Sequence, residues 1–309
     1  MIFFKPKFWA KNKISFFSLL LFPVSFLIKL IVFFKRIIIK THKCSIPIIC
    51  VGNIYLGGTG KTPVCIEIFS ILKILNMNPV FIRKKYDSYQ DEVNLQQQIG
   101  PVYQNKKRKE AVIEAIKNKA NIAILDDGFQ DFSINKDLSI VCFNEKQWLG
   151  NGLIIPSGPL RESLSSLKRA NCVIINGNKN KNIENIILKN NKRIKIFYSE
   201  YMPTNLDLIK NQEVIAFAGI GNPENFFDLL IDNNIRVVEK ISFPDHYNYK
   251  DEELEKLINR AQKKNNVLLT TEKDYLRIKE NKRKKINYVK IETRLKDREE
   301  FINEIKKII

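Results

Sequence analysis

Cysteine and histidine are both scarce in this chain, which argues against disulfide and zinc chemistry. The thiols are odd in number and lack the close pairs that bind zinc: Cys44, Cys50, Cys65, Cys142 and Cys172. The only histidines in the sequence are His42 and His246. A scattered, odd set of thiols indicates a reducing compartment without a disulfide framework.

Acidic residues are missing from the first 66 positions, where lysine and arginine occur ten times. The whole chain of 309 residues carries a formal net charge of +19, so about half of the excess lies in its first fifth. A basic leading segment suits either a nucleic acid or an anionic membrane surface. The residues between the charges decide between these two partners.

A long apolar stretch from Ile14 to Phe34 occupies this basic segment and favours the membrane. Pro23 and Lys29 interrupt it, and no small-residue cleavage site of a signal peptide follows. A spanning helix needs about 20 predominantly apolar residues. We therefore expect a hairpin or kinked helix that lies in the interface of an anionic membrane, with a single spanning helix as the alternative.

A glycine-rich turn between a predicted strand and a predicted helix carries the strongest functional signal. Backbone N–H groups in such a turn, at a helix N-terminus, form an anion site. Lys61 would reach the β- and γ-phosphates of a nucleotide, and the Thr62 hydroxyl would hold Mg²⁺. The expected ATP-binding residues are Tyr55, Leu56, Gly57, Gly58, Thr59, Gly60, Lys61 and Thr62. Tyr55 stands where the usual motif begins with glycine, and Leu56 stands where partitioning and targeting ATPases carry a lysine.

Strand and helix patterns alternate after the leading segment. Strands are predicted at Ile46–Val51, Val80–Ile82, Ile122–Asp126, Leu138–Phe143, Cys172–Ile175, Ile194–Tyr198, Val214–Ala218, Val237–Ile241, Val267–Thr270 and Ile286–Ile291. Helices are predicted at Pro63–Leu75, Lys107–Lys119, Pro223–Ile231, Lys250–Lys263 and Leu295–Ile309. This order predicts an α/β fold with a mostly parallel, P-loop NTPase-like sheet covered by helices.

The polar stretch 176–192 and the loop 202–210 are candidate joints between domains. We therefore expect a membrane-associated segment over residues 1–43, a P-loop domain over 44–205 and a smaller α/β domain over 206–309.

Two pairs of acidic residues are candidates for chemistry. Asp126 ends a buried strand and precedes Asp127, at the distance from the P-loop where an acid would hold the Mg²⁺ shell opposite Thr62. Which of the two serves the metal stays open. Asp91 and Glu92 follow the second strand through a polar loop, so they should lie at the ligand-binding edge of the sheet, with Glu92 as a further metal candidate. Acidic pairs in loops are more often solvated surface.

His246 lies in the run Phe243–Tyr247 and offers an imidazole for acid–base work, with Asp245 beside it as an orienting group. The alternative is a loop histidine bonded to backbone. His42, in a basic linker, fits a membrane surface better than a catalytic site.

Several separate blocks resemble, in order, those of the tetraacyldisaccharide 4'-kinases, which phosphorylate the lipid A precursor. They are Pro6–Trp9, Val51–Asn53, Gly57–Pro63, Asp91-Glu92, Leu125–Gln130, Gly150–Gly152, Pro156–Glu162, Ala216–Pro223, Phe243–His246 and Thr270–Asp274. They span nearly the whole chain, which makes them far more specific than the P-loop alone.

The resemblance implies transfer of the ATP γ-phosphate to the 4'-hydroxyl of a lipid disaccharide 1-phosphate. It implies that Asp91 is the catalytic base and His246 its helper, on opposite walls of a cleft between two domains. Arg161 becomes a candidate phosphate contact, since a guanidinium bridges anionic oxygens. The implied partners are the lipid substrate and the anionic cytoplasmic face of the inner membrane, with no nucleic acid and no obligate protein partner.

The chain departs from the family pattern at two places. It reads Arg83-Lys84-Lys85-Tyr86 where Arg-Gly-Tyr-Gly is usual, and Asp131 where histidine is usual. Two other functions stay open: a membrane-docked P-loop ATPase that acts on a protein partner, and a non-catalytic nucleotide- or nucleic-acid-binding module supported by the net charge.

Overall fold

The computed structural model describes residues 6–9, 14–85 and 90–309, which form two compact units. The large unit contains the described residues of 6–85 together with 99–200 and 293–309. The small unit contains residues 90–98 and 201–292. The chain therefore leaves the large unit twice, once after Lys85 and once after Glu200, and returns to it each time.

The strands are β1 (Ile48–Gly52), β2 (Pro79–Lys84), β3 (Val102–Asn105), β4 (Ile122–Asp126), β5 (Leu138–Asn144), β6 (Cys172–Asn176), β7 (Lys195–Pro203), β8 (Glu213–Ala218), β9 (Arg236–Ser242), β10 (Val267–Thr271), β11 (Asn287–Val289) and β12 (Ile291–Leu295). The helices are α1 (Phe16–Leu20), α2 (Phe22–Ile38), α3 (Lys61–Ile74), α4 (Gln90–Gln97), α5 (Arg108–Lys117), α6 (Lys181–Asn190), α7 (Pro223–Asp232), α8 (Asp251–Lys263), α9 (Glu272–Arg277), α10 (Glu280–Arg283) and α11 (Arg298–Lys306).

An eight-stranded sheet in the order β12-β7-β6-β5-β1-β4-β2-β3 organises the large unit. Strand β1 lies parallel to both β4 and β5, and Val51 is paired with Asp126 on one side. This register places the end of β1, where the glycine-rich turn begins, beside the carboxyl end of β4. The predicted fold class, a mostly parallel sheet covered by helices, is confirmed.

Helices cover both faces of this sheet, and every residue of β1 is therefore buried. On one face, Ile49 and Val51 share a core with α3 and with Phe301 of α11. On the other face, Ile48 and Cys50 share a core with α5. Near-continuous apolar runs are what a parallel strand buried on two faces requires.

A four-stranded sheet in the order β11-β10-β8-β9 forms the small unit, and its pairings are parallel. Helix α7 covers one face through Phe226, Phe227 and Leu230, and helix α8 covers the other through Leu254 and Ile258. The small unit is therefore a second α/β layer structure with its own core.

Several elements differ from the sequence-based prediction, in which β3, α9 and α10 are missing. Asp91 and Glu92 lie on helix α4 rather than in a loop. The polar stretch 176–192, expected to be a joint, contains helix α6. The single strand expected at Ile286–Ile291 is two short strands, β11 and β12, which belong to different sheets.

The leading segment forms α1 and α2, which meet at Leu21, and Pro23 lies in the first turn of α2. A proline there is tolerated because its missing N–H has no helical partner to lose. Within the described residues, the helices are all too short or too polar to cross a membrane.

Candidate active site

The glycine-rich turn connects β1 to α3, as the sequence predicts. Gly57, Gly58 and Gly60 have positive φ angles of 75°, 63° and 84°, which only glycine adopts without strain. Gly60 caps the N-terminus of α3, and Lys61 and Thr62 form its first turn. The turn therefore presents its backbone at a helix N-terminus, where N–H groups and the helix dipole favour an anion.

A polar network fixes the beginning of this turn. The side-chain amide of Asn53 donates to Thr59 Oγ1 over 2.8 Å, and both residues are buried. The backbone carbonyl of Asn53 accepts from Gln130 Nε2 at 2.8 Å. Arg161 Nη1 donates to Asn53 Oδ1 at 3.1 Å. Arg161 is thereby tied to the residue that precedes the turn.

The turn is also held from outside by backbone pairing. The N–H of Leu56 donates to Pro159 O at 2.9 Å, and Tyr55 forms an antiparallel bridge with Leu160. Tyr55 and Leu56 therefore contribute backbone geometry, and the N–H of Leu56 is directed to a protein acceptor.

Asp127 holds the two cations nearest the turn. Arg161 forks onto its carboxylate with distances of 2.6 and 3.0 Å, and Lys61 Nζ lies 3.7 Å away. Burial alone would raise the pKa of Asp127, but the charges of Lys61 and Arg161 outweigh it and the pKa lies well below its usual value. Asp127 stays ionised at neutral pH and keeps Lys61 and Arg161 together.

Asp126 lies beside the first turn of α3. Thr62 Oγ1 donates to Asp126 Oδ2 at 3.3 Å, and Arg83 Nη1 contacts the same oxygen. This pair of oxygen ligands fits Mg²⁺, which takes one or two protein groups and completes its shell with phosphate and water. Among the described residues, no group of three or more His, Cys, Asp or Glu side chains could hold a metal ion by itself.

Glu92, the third metal candidate, lies in the small unit, whereas Thr62, Asp126 and Asp127 belong to the large unit. Its carboxylate is paired with Lys273 at 2.6 Å. Of the metal candidates, the structure therefore brings Thr62 and Asp126 into direct contact.

Asp91 and His246 lie together in the small unit. Asp91 Oδ1 is 3.4 Å from His246 Nδ1, and Asp91 is 4% exposed. The sequence placed these residues in different domains, on opposite walls of a cleft. The structure groups them in one unit because the chain leaves the large sheet after Lys85 and forms α4 before it returns.

Arg277 completes this pair, and sequence reasoning missed it. Its Nη2 donates to Asp91 Oδ2 at 2.7 Å and lies 3.4 Å from His246 Nδ1. Burial would raise the pKa of Asp91, but the hydrogen bond from His246 and the charge of Arg277 lower it to about 2. Arg277 follows Asp274 by three residues on α9, so the family-like block Thr270–Asp274 was the available signal.

A second carboxylate orients Arg277. Asp274 Oδ1 accepts from Arg277 Nη1 at 2.8 Å and from the Tyr249 hydroxyl at 2.8 Å. Asp274 Oδ2 accepts from the N–H of Gly219 at 3.1 Å, and Gly219 O accepts from Arg277 Nη1 at 2.7 Å. Asp274 and Gly219 therefore hold one end of the guanidinium, and its other nitrogen contacts Asp91.

His246 adopts a strained backbone conformation with a φ of 56°. Its N–H donates to Gly219 O at 3.0 Å, which holds this turn in place. Its Nε2 lies 3.8 Å from Asp245 Oδ1, so the neighbouring carboxylate is close to the ring, as expected. Left-handed backbone at a non-glycine residue costs about 1–3 kcal/mol and concentrates at functional sites.

The two departures from the family pattern lie in different surroundings: Lys84 and Lys85 follow Arg83, which matches the usual arginine, and Asp131 lies beyond the turn of Asp127. Arg83 contacts Asp126, whereas Lys84 and Lys85 are exposed and Tyr86 lies outside the described residues. Asp131 is paired with Arg108 at 3.2 Å.

Comparison of the sequence with known proteins identifies the same family that the sequence blocks resemble. The family model described as tetraacyldisaccharide-1-P 4'-kinase matches residues 17–309. A tetraacyldisaccharide 4'-kinase of Pelagibacter ubique is 42% identical over 307 residues, covering 98% of both chains. A tetraacyldisaccharide 4'-kinase of Rickettsia bellii is 34% identical over 291 residues, covering 88% of this chain and 89% of the relative.

A solved structure gives the same result. The crystal structure of LpxK from Aquifex aeolicus in complex with ATP matches with a TM-score of 0.73 and 25% identity, over 94% of this chain and 99% of that one. The expected resemblance is thus confirmed along almost the whole length, and the chain belongs to the tetraacyldisaccharide-1-P 4'-kinase family.

Proposed function

We infer that this chain transfers the γ-phosphate of ATP to the 4'-hydroxyl of a tetraacyldisaccharide 1-phosphate, the precursor of lipid A. The observation that carries the inference is family membership over residues 17–309 together with a glycine-rich turn of the required geometry. The Aquifex aeolicus relative, solved with ATP, supports ATP as the donor.

The large unit supplies the donor side of the reaction. The amides of residues 57–62 would hold the phosphates, and Lys61 and Arg161 would neutralise the charge that develops on the transferred group. Asp127 keeps these two cations in place through its contacts at 3.7 and 2.6 Å. Thr62 and Asp126 would hold a bound Mg²⁺, which would help to neutralise the charge of the phosphates.

The small unit supplies the acid–base pair for the acceptor. Asp91 and His246 would together position the 4'-hydroxyl and accept its proton. Asp91 Oδ2 is engaged by Arg277, so Oδ1 and the imidazole are the groups that face each other at 3.4 Å. Glu92, paired with Lys273, supports α4 in this proposal and has no direct metal contact.

The N-terminal helices fit a membrane-bound substrate. Large apolar side chains of α1 and α2 are exposed, with Phe16 at 74% and Ile38 at 75%. A lipid acceptor is retained in the bilayer by about 0.8 kcal/mol per buried CH₂, so the enzyme has to come to it. We propose that these helices lie in the cytoplasmic face of the inner membrane and that no nucleic acid or protein partner is needed.

One incubation tests this function. Purified protein, γ-labelled ATP and Mg²⁺ are combined with the disaccharide 1-phosphate lipid in mixed micelles, and the label is followed by lipid extraction and chromatography. The kinase predicts labelled lipid that depends on Lys61. A membrane-docked ATPase predicts labelled inorganic phosphate without labelled lipid, and that result would overturn the proposal.

A further inference from the structure

The N-terminal helices attach to the large unit in an unusual way. The buried residues of α1 and α2 are both serines, Ser18 at 0% and Ser25 at 5% exposure. Most of their phenylalanines, leucines and isoleucines are exposed, as Phe17 and Leu20 are, whereas Ile28 and Leu30 are half-buried. A water-soluble helix would show the reverse arrangement. The two buried serines therefore attach these helices to the unit through hydrogen bonds.

These hydrogen bonds end on one segment, residues 151–161, here called the docking loop. The Ser25 hydroxyl donates to Ile154 O at 2.8 Å and accepts from the N–H of Ser157 at 3.0 Å, and the Ser157 hydroxyl lies 2.8 Å away. Asn151 Nδ2 donates to Ser18 Oγ at 3.2 Å and to Ser157 O at 2.9 Å. Ser157 is completely buried, so this contact is shielded from bulk solvent.

The other side of the docking loop forms backbone hydrogen bonds with the beginning of the glycine-rich turn. Pro159 O accepts from the N–H of Leu56 at 2.9 Å, and the N–H of Arg161 donates to Ile54 O at 2.7 Å. The loop ends at Arg161, whose guanidinium forms a bidentate ion pair with Asp127. Thus one short segment contacts the lipid-facing helices with one edge and the anion site with the other.

We propose that Ser25 and Ser157 are positioning residues that couple the N-terminal helices to the phosphate site, so that a lipid surface tightens nucleotide binding. The proposal rests on the membrane association inferred above. A lipid surface that restrains α1 and α2 restrains the docking loop through Ser25, and the loop restrains Leu56 and Arg161. Nucleotide then binds a turn that is already ordered and loses less conformational entropy.

Reciprocity makes this coupling measurable without the lipid acceptor, because each ligand must change the other's affinity by the same factor. The dissociation constant of ADP with Mg²⁺ is measured by calorimetry, with and without vesicles of phosphatidylethanolamine and phosphatidylglycerol. Vesicle binding is measured by sedimentation. In the wild-type chain we expect vesicles to tighten ADP binding at least about fivefold, the lower end of typical coupling.

Ser25→Ala and Ser157→Ala should each abolish the effect of vesicles on the dissociation constant of ADP. Vesicle sedimentation measured without ADP should stay unchanged, because the outward apolar face is untouched. Since both variants cut the same contact, the double variant should lose no more than either single one. Ser25→Thr, which keeps the hydroxyl, should retain the coupling. A matched control, Phe34→Ser on the exposed face, should weaken sedimentation and leave vesicle-free ADP affinity unchanged.

The proposal is overturned if vesicles tighten ADP binding equally in the wild type and in both serine variants, or have no effect on it in the wild type. This outcome is distinct from failure of the proposed function. A chain that couples vesicles to ADP but never labels the disaccharide lipid would refute the kinase and leave the coupling standing.

Discussion

Arg277 offers a sharp test of the small-unit site, because one guanidinium there serves two buried carboxylates. The side chain is 10% exposed and lies 2.7 Å from Asp91 and 2.8 Å from Asp274. Arg277→Met keeps the length of the stem and removes the charge. Removing one partner of a buried ion pair leaves an uncompensated charge, and the cost is about 3–5 kcal/mol.

The variant should also change a proton affinity. The Arg277 charge is one of the two main causes that lower the pKa of Asp91. Without it the pKa of Asp91 rises, so the acid limb of the pH–rate profile for lipid phosphorylation should move to higher pH. Arg277→Lys returns a charge without the planar fork and should lie between the wild type and the methionine variant.

Urea unfolding at neutral pH measures the first effect, and initial rates between about pH 4 and 8 measure the second. Arg236→Met is the matched control, because that arginine, 77% exposed, makes a surface ion pair with Glu213 at 3.0 Å. Exposed pairs contribute about 0–1 kcal/mol. If Arg277→Met costs no more than this control and leaves the pH–rate profile in place, the role assigned to Arg277 is wrong.

Three other substitutions probe the remaining parts of the site and fold. Lys61→Ala should abolish lipid phosphorylation with an unchanged circular dichroism spectrum, and near-normal turnover would contradict the P-loop assignment. Asp91→Asn should retain ATP binding but lose more than tenfold in turnover, by at least about 1.4 kcal/mol of transition-state stabilisation. The pKa of Asp91 is lowered to about 2, so its ionised form stabilises the fold above about pH 4 and this stabilisation is lost as the pH falls toward 2. The difference in unfolding free energy between the wild type and Asp91→Asn should therefore be about 2 kcal/mol smaller at pH 2 than at neutral pH. Phe301→Ala should cost the large unit about 3–5 kcal/mol in urea unfolding, since Phe301 is fully buried, and a cost below 1 kcal/mol would show that α11 is not part of that core.

The central strands of the large sheet, β1, β2, β4, β5 and β6, were predictable because each is a dense apolar run, whereas the edge strand β3 was not predicted. The prediction for Ile122–Asp126 matches β4 residue for residue, and that strand is buried throughout. Helix α6 was missed since its buried residues are Ile183 and Ile187, in a segment otherwise rich in Asn and Lys. Ile183, Ile186 and Ile187 do follow a helical spacing, but the Asn and Lys residues around them led to the interpretation as a polar loop.

Long-range placement could not be predicted in the same way. Sequence pattern indicated a final helix, but nothing local places Phe301 against Phe197, with ring centroids 5.2 Å apart. The same limit applies to the site. Spacing identified Lys61 and Thr62 because their motif is contiguous, whereas Arg277 reaches Asp91 across 186 positions of the chain. A contact of that kind comes from topology, which a single sequence does not display.

The departure at Asp131 is best understood through the arginine it contacts. Arg108 donates through Nη2 to the backbone carbonyls of Asp126 at 3.2 Å and Asp127 at 2.8 Å. This clamps the turn in which Asp127 adopts a φ of 53° and from which it reaches Arg161.

Asp131 accepts from Nη1 of the same arginine at 3.2 Å, and its own carboxylate is anchored by the hydroxyl and N–H of Ser133. Burial would raise the pKa of Asp131, but the Ser133 hydrogen bonds and the Arg108 charge lower it, so the group is ionised at neutral pH. An ionised carboxylate at this position balances a buried guanidinium that would otherwise be costly to desolvate. Asp131 thus preserves the turn that orients Asp127, and the substitution changes the charge beside the site without removing the geometry that the phosphate contacts need.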